Sequence, residues 1–92
     1  MSHRVLKISR QERPLQGVTL RLEGTLAGPW VKELLEECER VLAAHGRVRL
    51  DLSGLAFVDQ EGARLLAGLP ADQVQLANPS VFVVEILKRG GT

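Results

Sequence analysis

The chain has 92 residues, 45% apolar and 25% charged, with a formal net charge of +1. That length holds one small domain and no second, and so small a net charge excludes strong electrostatic capture of nucleic acid as a default role. A single cysteine excludes an intrachain disulfide and any multi-cysteine metal site.

No signal-peptide core precedes the first strand-like pattern, and no apolar run reaches membrane-spanning length. A cytoplasmic protein without membrane insertion is the expectation. Aromatic residues are limited to Trp30, Phe57 and Phe82, so the core must be aliphatic.

Arg4 to Ser9 reads as a short strand carrying Val5, Leu6 and Ile8. Gln11 to Gly17 is polar, contains Pro14 and Gly17, and reads as a long turn. Val18 to Glu23 alternates with a period of two and sets Val18, Leu20 and Leu22 on one face. These strands form an antiparallel hairpin in this reading. Arg4, Lys7, Arg10, Arg13 and Arg21 make the segment basic against Glu12 and Glu23. No aromatic side chain interleaves with them for base stacking, so the pattern is that of a solvated strand face.

Gly24 to Gly28 reads as a connector, and Pro29 is placed to open a helix at its first position. Val31, Leu34, Leu35, Cys38, Val41 and Leu42 follow helical spacing as one apolar stripe. Glu36 and Arg40 stand four apart in the favourable order. His45 serves the last carbonyls, and Gly46 supplies a left-handed cap. Arg47 to Leu52 is the next strand. Strand, helix and strand in that order form a crossover, which makes this strand parallel to the second. A short polar loop then leads to Asp59, the cap of a second helix that runs to about Ala67 with Leu65 and Leu66 inward and Gly68 as its stop. Pro70 to Asp72 turns the chain, and Gln73 to Ala77 is a fourth strand. Asn78 is placed to cap a third helix with Pro79 at its first position. Phe82, Val83, Ile86 and Leu87 would pack inward, Lys88 and Arg89 suit its C-terminal end, and Gly90-Gly91 release the chain.

The pattern is therefore α/β: a four-stranded mixed sheet with three helices mainly on one face. The other face stays partly open, which invites a partner or a second copy in a homodimer.

The junction Asp59-Gln60-Glu61-Gly62 is the candidate site. A helix start offers unpaired N–H groups and a partial positive charge to an anion or a docking surface. Asp59 caps the helix, and Glu61 complements its dipole. Gly62 serves either a partner's close approach or the packing of the helix start. Trp30 is either an exposed docking anchor or a staple over the sheet edge. Cys38 falls within the apolar stripe as an inert thiol. His3 and His45 lack metal-ligand spacing. Ser53 and Ser80 have no triad context, and no glycine-rich phosphate loop is present. No cofactor, no catalytic residue and no metal site are expected.

Asp51-Leu52-Ser53-Gly54-Leu55, Phe57-Val58-Asp59-Gln60-Glu61-Gly62, Asn78-Pro79-Ser80 and Gly24-Thr25-Leu26 together resemble the STAS domain (sulfate transporter and anti-sigma factor antagonist). The corresponding family patterns are D-L-S-G-V, F-x-D-S-S-G, Asn-Pro-Ser and G-x-L. The resemblance implies a non-catalytic binding module. In its bacterial members a serine beside the glycine is phosphorylated by an anti-sigma factor that is also a kinase, and phosphorylation reverses docking. Here Glu61 stands at the phosphosite and Gln60 beside it, and neither can take phosphate by serine chemistry. Ala27 replaces a frequent acidic residue after G-x-L. The chain also ends soon after its third helix, where longer members continue with a strand and a helix. Gly-Thr-Leu-Ala-Gly-Pro-Trp (24–30) and Asp-x-Glu-Gly (59–62) are similar to a group of short STAS-like bacterial sequences without a firm role.

The resemblance thus implies docking to a protein partner of the anti-sigma factor or kinase-like kind, through Asp59–Gly62 and without the serine switch. Glu61 would supply one fixed negative charge where phosphate supplies nearly two. Two other readings are an accessory subunit of a transport assembly, since STAS-like domains also stand beside transporter ATPases, and an anion- or nucleotide-binding module. Glu61 opposes the last by placing a like charge at the anion's position.

Overall fold

Two antiparallel strands open the fold, β1 (Leu6–Arg13) and β2 (Gly17–Leu26). The computed structural model describes residues 5–90. His3, Arg4 and Gly91 lie outside them. The turn is much tighter than the expected Gln11–Gly17 loop. Gln16 N–H donates to the Arg13 carbonyl at 3.1 Å, Pro14 takes the first corner, and Gly17 follows at φ 83°. This is the three-residue hairpin with proline and glycine at their favoured places. Gln11, Glu12 and Arg13 belong to β1 instead. They are exposed because β1 is an edge strand, so the strand shows no apolar alternation there.

The chain continues through α1 (Pro29–His45), β3 (Val48–Val58), α2 (Gln60–Gly68), β4 (Val74–Ala77) and α3 (Val81–Gly90). The strand order is β1-β2-β3-β4, with β2, β3 and β4 parallel. Two successive parallel crossovers each move one strand along the sheet; such crossovers are right-handed as a rule, which puts α1 and α2 on the same face. Contacts of α2 with both α1 and α3 complete a single helical layer. The expected fold class is the observed one.

Two expected segments change. Gly24–Leu26 is not a connector but the end of β2, and no polar loop follows Leu52. β3 runs on to Val58, and Asp59 alone separates it from α2. The register explains why the alternation breaks. Arg21 and Glu23 of β2 face Asp51 and Gly54, while Gly24 and Thr25 face Leu55 and Phe57. Each of these steps inserts one extra residue into β3. Its buried positions therefore pass from Val48, Leu50 and Leu52 to Leu55 and Val58. Asp51 holds the first bulge, because its Oδ1 accepts from Ser53 N–H at 3.0 Å and from Asn78 Nδ2 at 3.4 Å. The Ser53 N–H bond, joined by the Ser53 and Asn78 side chains and by nearby Arg21, keeps the Asp51 carboxyl below its ordinary value. Gly54 is required at the same place. A Cβ there would stand 2.8 Å from Glu23 Cγ and 2.9 Å from the Leu22 carbonyl oxygen.

The core is leucine-rich: Leu6, Leu20, Leu22, Leu26, Leu34, Leu50 and Leu52 are fully buried, and none of the aromatic residues is. From α1, Leu34, Cys38 and Val41 are buried, while Leu35 lies at the border. Arg40 pairs with Glu37 at 3.3 Å, one position nearer than the expected Glu36. Gly46 closes the helix in the left-handed conformation with its N–H on the Leu42 carbonyl, as expected. His45 reaches across to β1, with Nε2 3.7 Å from Glu12 Oε1.

Helix α2 includes Gly68. It stops at Leu69, which is extended because Pro70 follows. Asn78 does not cap α3. It takes a left-handed turn at φ 56°, and Ser80 caps instead, its Oγ accepting from Val83 N–H at 3.1 Å. The serine hydroxyl lies three residues before a free N–H of the first turn, the spacing a cap needs. Among the expected inward residues of α3, Val83 is buried and Ile86 and Leu87 partly so, but Phe82 is half-exposed.

Cys38 is 1% exposed, and burial first, then Glu37 and Glu39, raises its thiol from 9.0 to about 11. The folded protein then retains a proton that the unfolded chain releases, so stability falls as pH rises from 9.0 towards about 11. A thiol reagent at mildly alkaline pH should leave native Cys38 unmodified and label it fully in denaturant. Urea titrations should show the alkaline loss of stability, and it should be smaller in Cys38→Ala.

Candidate functional site at the shared start of the helices

Each helix follows the C-terminal end of a parallel strand, so α1, α2 and α3 all begin at one end of the sheet. In open α/β sheets this is the end where loops and helix termini are free to act. Asp59 organises it. Its backbone N–H donates to the Leu26 carbonyl at 3.0 Å, which extends the β2–β3 pairing by one step. Its Oδ1 accepts from Gly62 N–H at 2.7 Å, the expected cap of α2. Its Oδ2 accepts from Gly28 N–H at 3.1 Å, at the residue that precedes α1. One carboxylate thus ties together the starts of two helices. The link to Gly28 left no mark in the sequence, because the partner is a backbone group 31 residues away.

Gly62 is buried, and its role is packing. A Cβ there would lie 2.8 Å from the Leu26 carbonyl oxygen and 2.9 Å from Val58 Cγ1. The absent side chain lets the first turn of α2 settle onto the ends of β2 and β3. A partner's backbone has no access to it. Trp30 is half-buried and packed against the core, the staple rather than the exposed anchor.

Gln60 and Glu61 are the residues left on the surface. Glu61 lies in the first turn of α2, where its charge complements the helix dipole. With Gly62 N–H already held by Asp59, an anion approaching this helix start would meet two carboxylates.

The same end carries an apolar surface of three residues, of which only Phe82 was expected to pack inward. Phe57, next to last in β3, is 45% exposed, Phe82 in the first turn of α3 is 50%, and Val81 is 81%. The two rings stand 6.2 Å apart with a 32° tilt. β4 pairs only with Val48–Asp51, so the second half of β3 has no strand beside it there. α3 packs against β3 and brings Phe82 onto Phe57. A large hollow, about 680 Å³, lies at the opposite end of the sheet between Leu15, Arg47, Arg49 and Gln73. Among the described residues, no three His, Cys, Asp or Glu side chains gather as a metal site, and no helix is long and apolar enough to cross a membrane.

A family model described as "Mlab, STAS domain" matches residues 9–91. The chain belongs to the STAS domain family. No curated relative matches it. Within this STAS domain, Asp51-Leu52-Ser53-Gly54 is the bulge of β3, and Asp59 with Gly62 is the hinge on which α2 is seated.

Asp59→Ala removes both hydrogen bonds and should lower stability by about 1–3 kcal/mol in denaturant unfolding. Amide exchange at Gly28 and Gly62 should accelerate together, because one carboxylate protects both. Gly62→Ala should cost about 1–3 kcal/mol through overpacking, even though alanine is the better helix former.

Proposed function

We propose that this STAS domain is a non-catalytic docking module that binds a protein partner through the end of the sheet where its helices begin. The observation that carries this reading is the exposed first turn of α2. Gln60 and Glu61 stand on a helix start whose direction is held by Asp59, with the exposed Phe57–Phe82 pair at the same end. A rigid charged turn combined with exposed aromatic surface suits protein recognition, where aromatic anchors contribute much of the affinity. The family match supports a STAS-like module; to it we add the reading of an anti-sigma factor antagonist kind of role, with a kinase-like protein as partner.

Gln60 and Glu61 carry no hydroxyl, so docking here is constant rather than switched by serine phosphate. Glu61 holds one negative charge in place at all times, where a phosphorylated serine would carry nearly two and lose them on dephosphorylation.

That constancy favours a second reading within the same module, a permanent accessory subunit of a membrane transport assembly. The two readings separate on what co-purifies: a soluble regulator in the first, a membrane complex in the second.

Affinity isolation of the native protein, compared with Glu61→Ser and Glu61→Lys, tests both. Glu61→Lys should change stability by no more than about 1 kcal/mol and yet release the partner that wild type holds. Glu61→Ser should weaken it less. A control substitution at the far end, Leu15→Ser, should leave binding intact. Equal retention by wild type and Glu61→Lys would move the contact away from α2.

A further inference from the structure

The outer edge of β1 is eight residues long, and its register with β2 is unbroken from Leu6 to Arg13. It holds no proline and no bulge, and no second strand pairs with it among the described residues. Long regular edges of this kind are usually broken up or covered. The direction of its backbone groups follows from one bond. The Val5 carbonyl accepts from Thr25 N–H at 2.9 Å, so Val5 points at β2. Backbone groups alternate sides along an antiparallel strand. Lys7, Ser9, Gln11 and Arg13 therefore also point inward, and Ile8, Arg10 and Glu12 point outward.

We infer that β1 pairs with β1 of a second copy of this chain, antiparallel and with Gln11 on the two-fold axis. The charges select this register. Cross-strand partners share a face, so the axis must fall on a residue. Centring on Gln11 sets Arg10 opposite the partner's Glu12 and Glu12 opposite the partner's Arg10, and both are outward-pointing, hydrogen-bonded positions. Centring on Arg10 would stack Arg10 on itself and Lys7 on Arg13. Centring on Ser9 would set Ile8 against Arg10 and Leu6 against Glu12.

Arg10 and Glu12 already meet within one chain, and their side chains are 42% and 57% exposed. His45 stands over the same pair, with Nε2 3.4 Å from Arg10 and 3.7 Å from Glu12. Charges on an edge strand ordinarily repel a second copy; here the two-fold axis makes them self-complementary. The product is an eight-stranded sheet with every helix on one face and the two docking ends pointing in opposite directions. A ribbon this short stands at or below the roughly 1,200 Å² of a stable interface, so the dimer forms only as concentration rises.

Sedimentation equilibrium of the full chain across a wide concentration range tests this. The mean mass of wild type should climb from that of one chain towards that of two. Arg10→Glu and Glu12→Arg should each hold the mass at one chain, and the double variant Arg10→Glu/Glu12→Arg should regain the rise. Gln11→Lys, which places two like charges on the axis, should also remain at one chain, and circular dichroism should show each variant folded as wild type. A wild-type mass that never rises, a dimer indifferent to the single reversals, or a double variant that stays at one chain overturns the proposal. None of these outcomes depends on Glu61 or on the docking partner.

Discussion

The Asp59 carboxylate is the constraint on which the end of the sheet where the helices begin depends. It sits at the last position before α2 and uses its two oxygens on different parts of the chain. Gly62 N–H anchors the helix that follows, and Gly28 N–H anchors the approach to α1. Both donors are backbone groups at helix starts, which would otherwise need water. A hydrogen bond to a charged group is worth about twice a neutral one, so the junction is stiff although Asp59 is only half-buried. Gly62 makes the arrangement possible by leaving room for Leu26 and Val58. Carboxylate and glycine act as a pair, one pulling α2 onto the sheet and the other letting it come close.

The second organising device is the double bulge of β3. It lengthens that strand relative to β2 and turns its buried face twice. Without it, Leu55 and Val58 would not both reach the core, and Asp59 would not arrive beside Gly28. Asp51, Ser53 and Gly54 carry the first bulge through a side-chain hydrogen bond and a missing Cβ. The family motif at this place is therefore chiefly architectural. It sets the phase of the strand that leads to Asp59, while Gln60, Glu61 and the aromatic pair form the exposed surface at that end.

The two surfaces that bear on association differ in kind. The end carrying Glu61 and Phe57 combines charge with exposed apolar area. The uncovered sheet face, with Lys7, Arg21, Glu23, Arg49 and Asp51, is polar and offers no comparable apolar area. The partner suggested by a half-open sheet has more to hold at the sheet's end and along its β1 edge than on the face itself.

Local rules were enough for much of this. The α1 stripe, Pro29 at the helix start, the left-handed cap at Gly46, the Asp59 cap and the parallel crossover all follow from residue type and spacing within a few turns. The tight Pro14–Gly17 hairpin was legible too, but the exposed polar end of β1 disguised it as loop. What only the tertiary structure decided involves distant partners. The bulges arise from the register of β3 against β2, and Gly28 meets Asp59 only once the parallel strands align. Phe82 is left half-exposed because α3 packs where β4 has already ended, and Ser80 rather than Asn78 caps that helix once Asn78 turns towards Asp51. Periodicity reports which face a residue takes within its own element; it carries no information on the register between elements, and that register places this site.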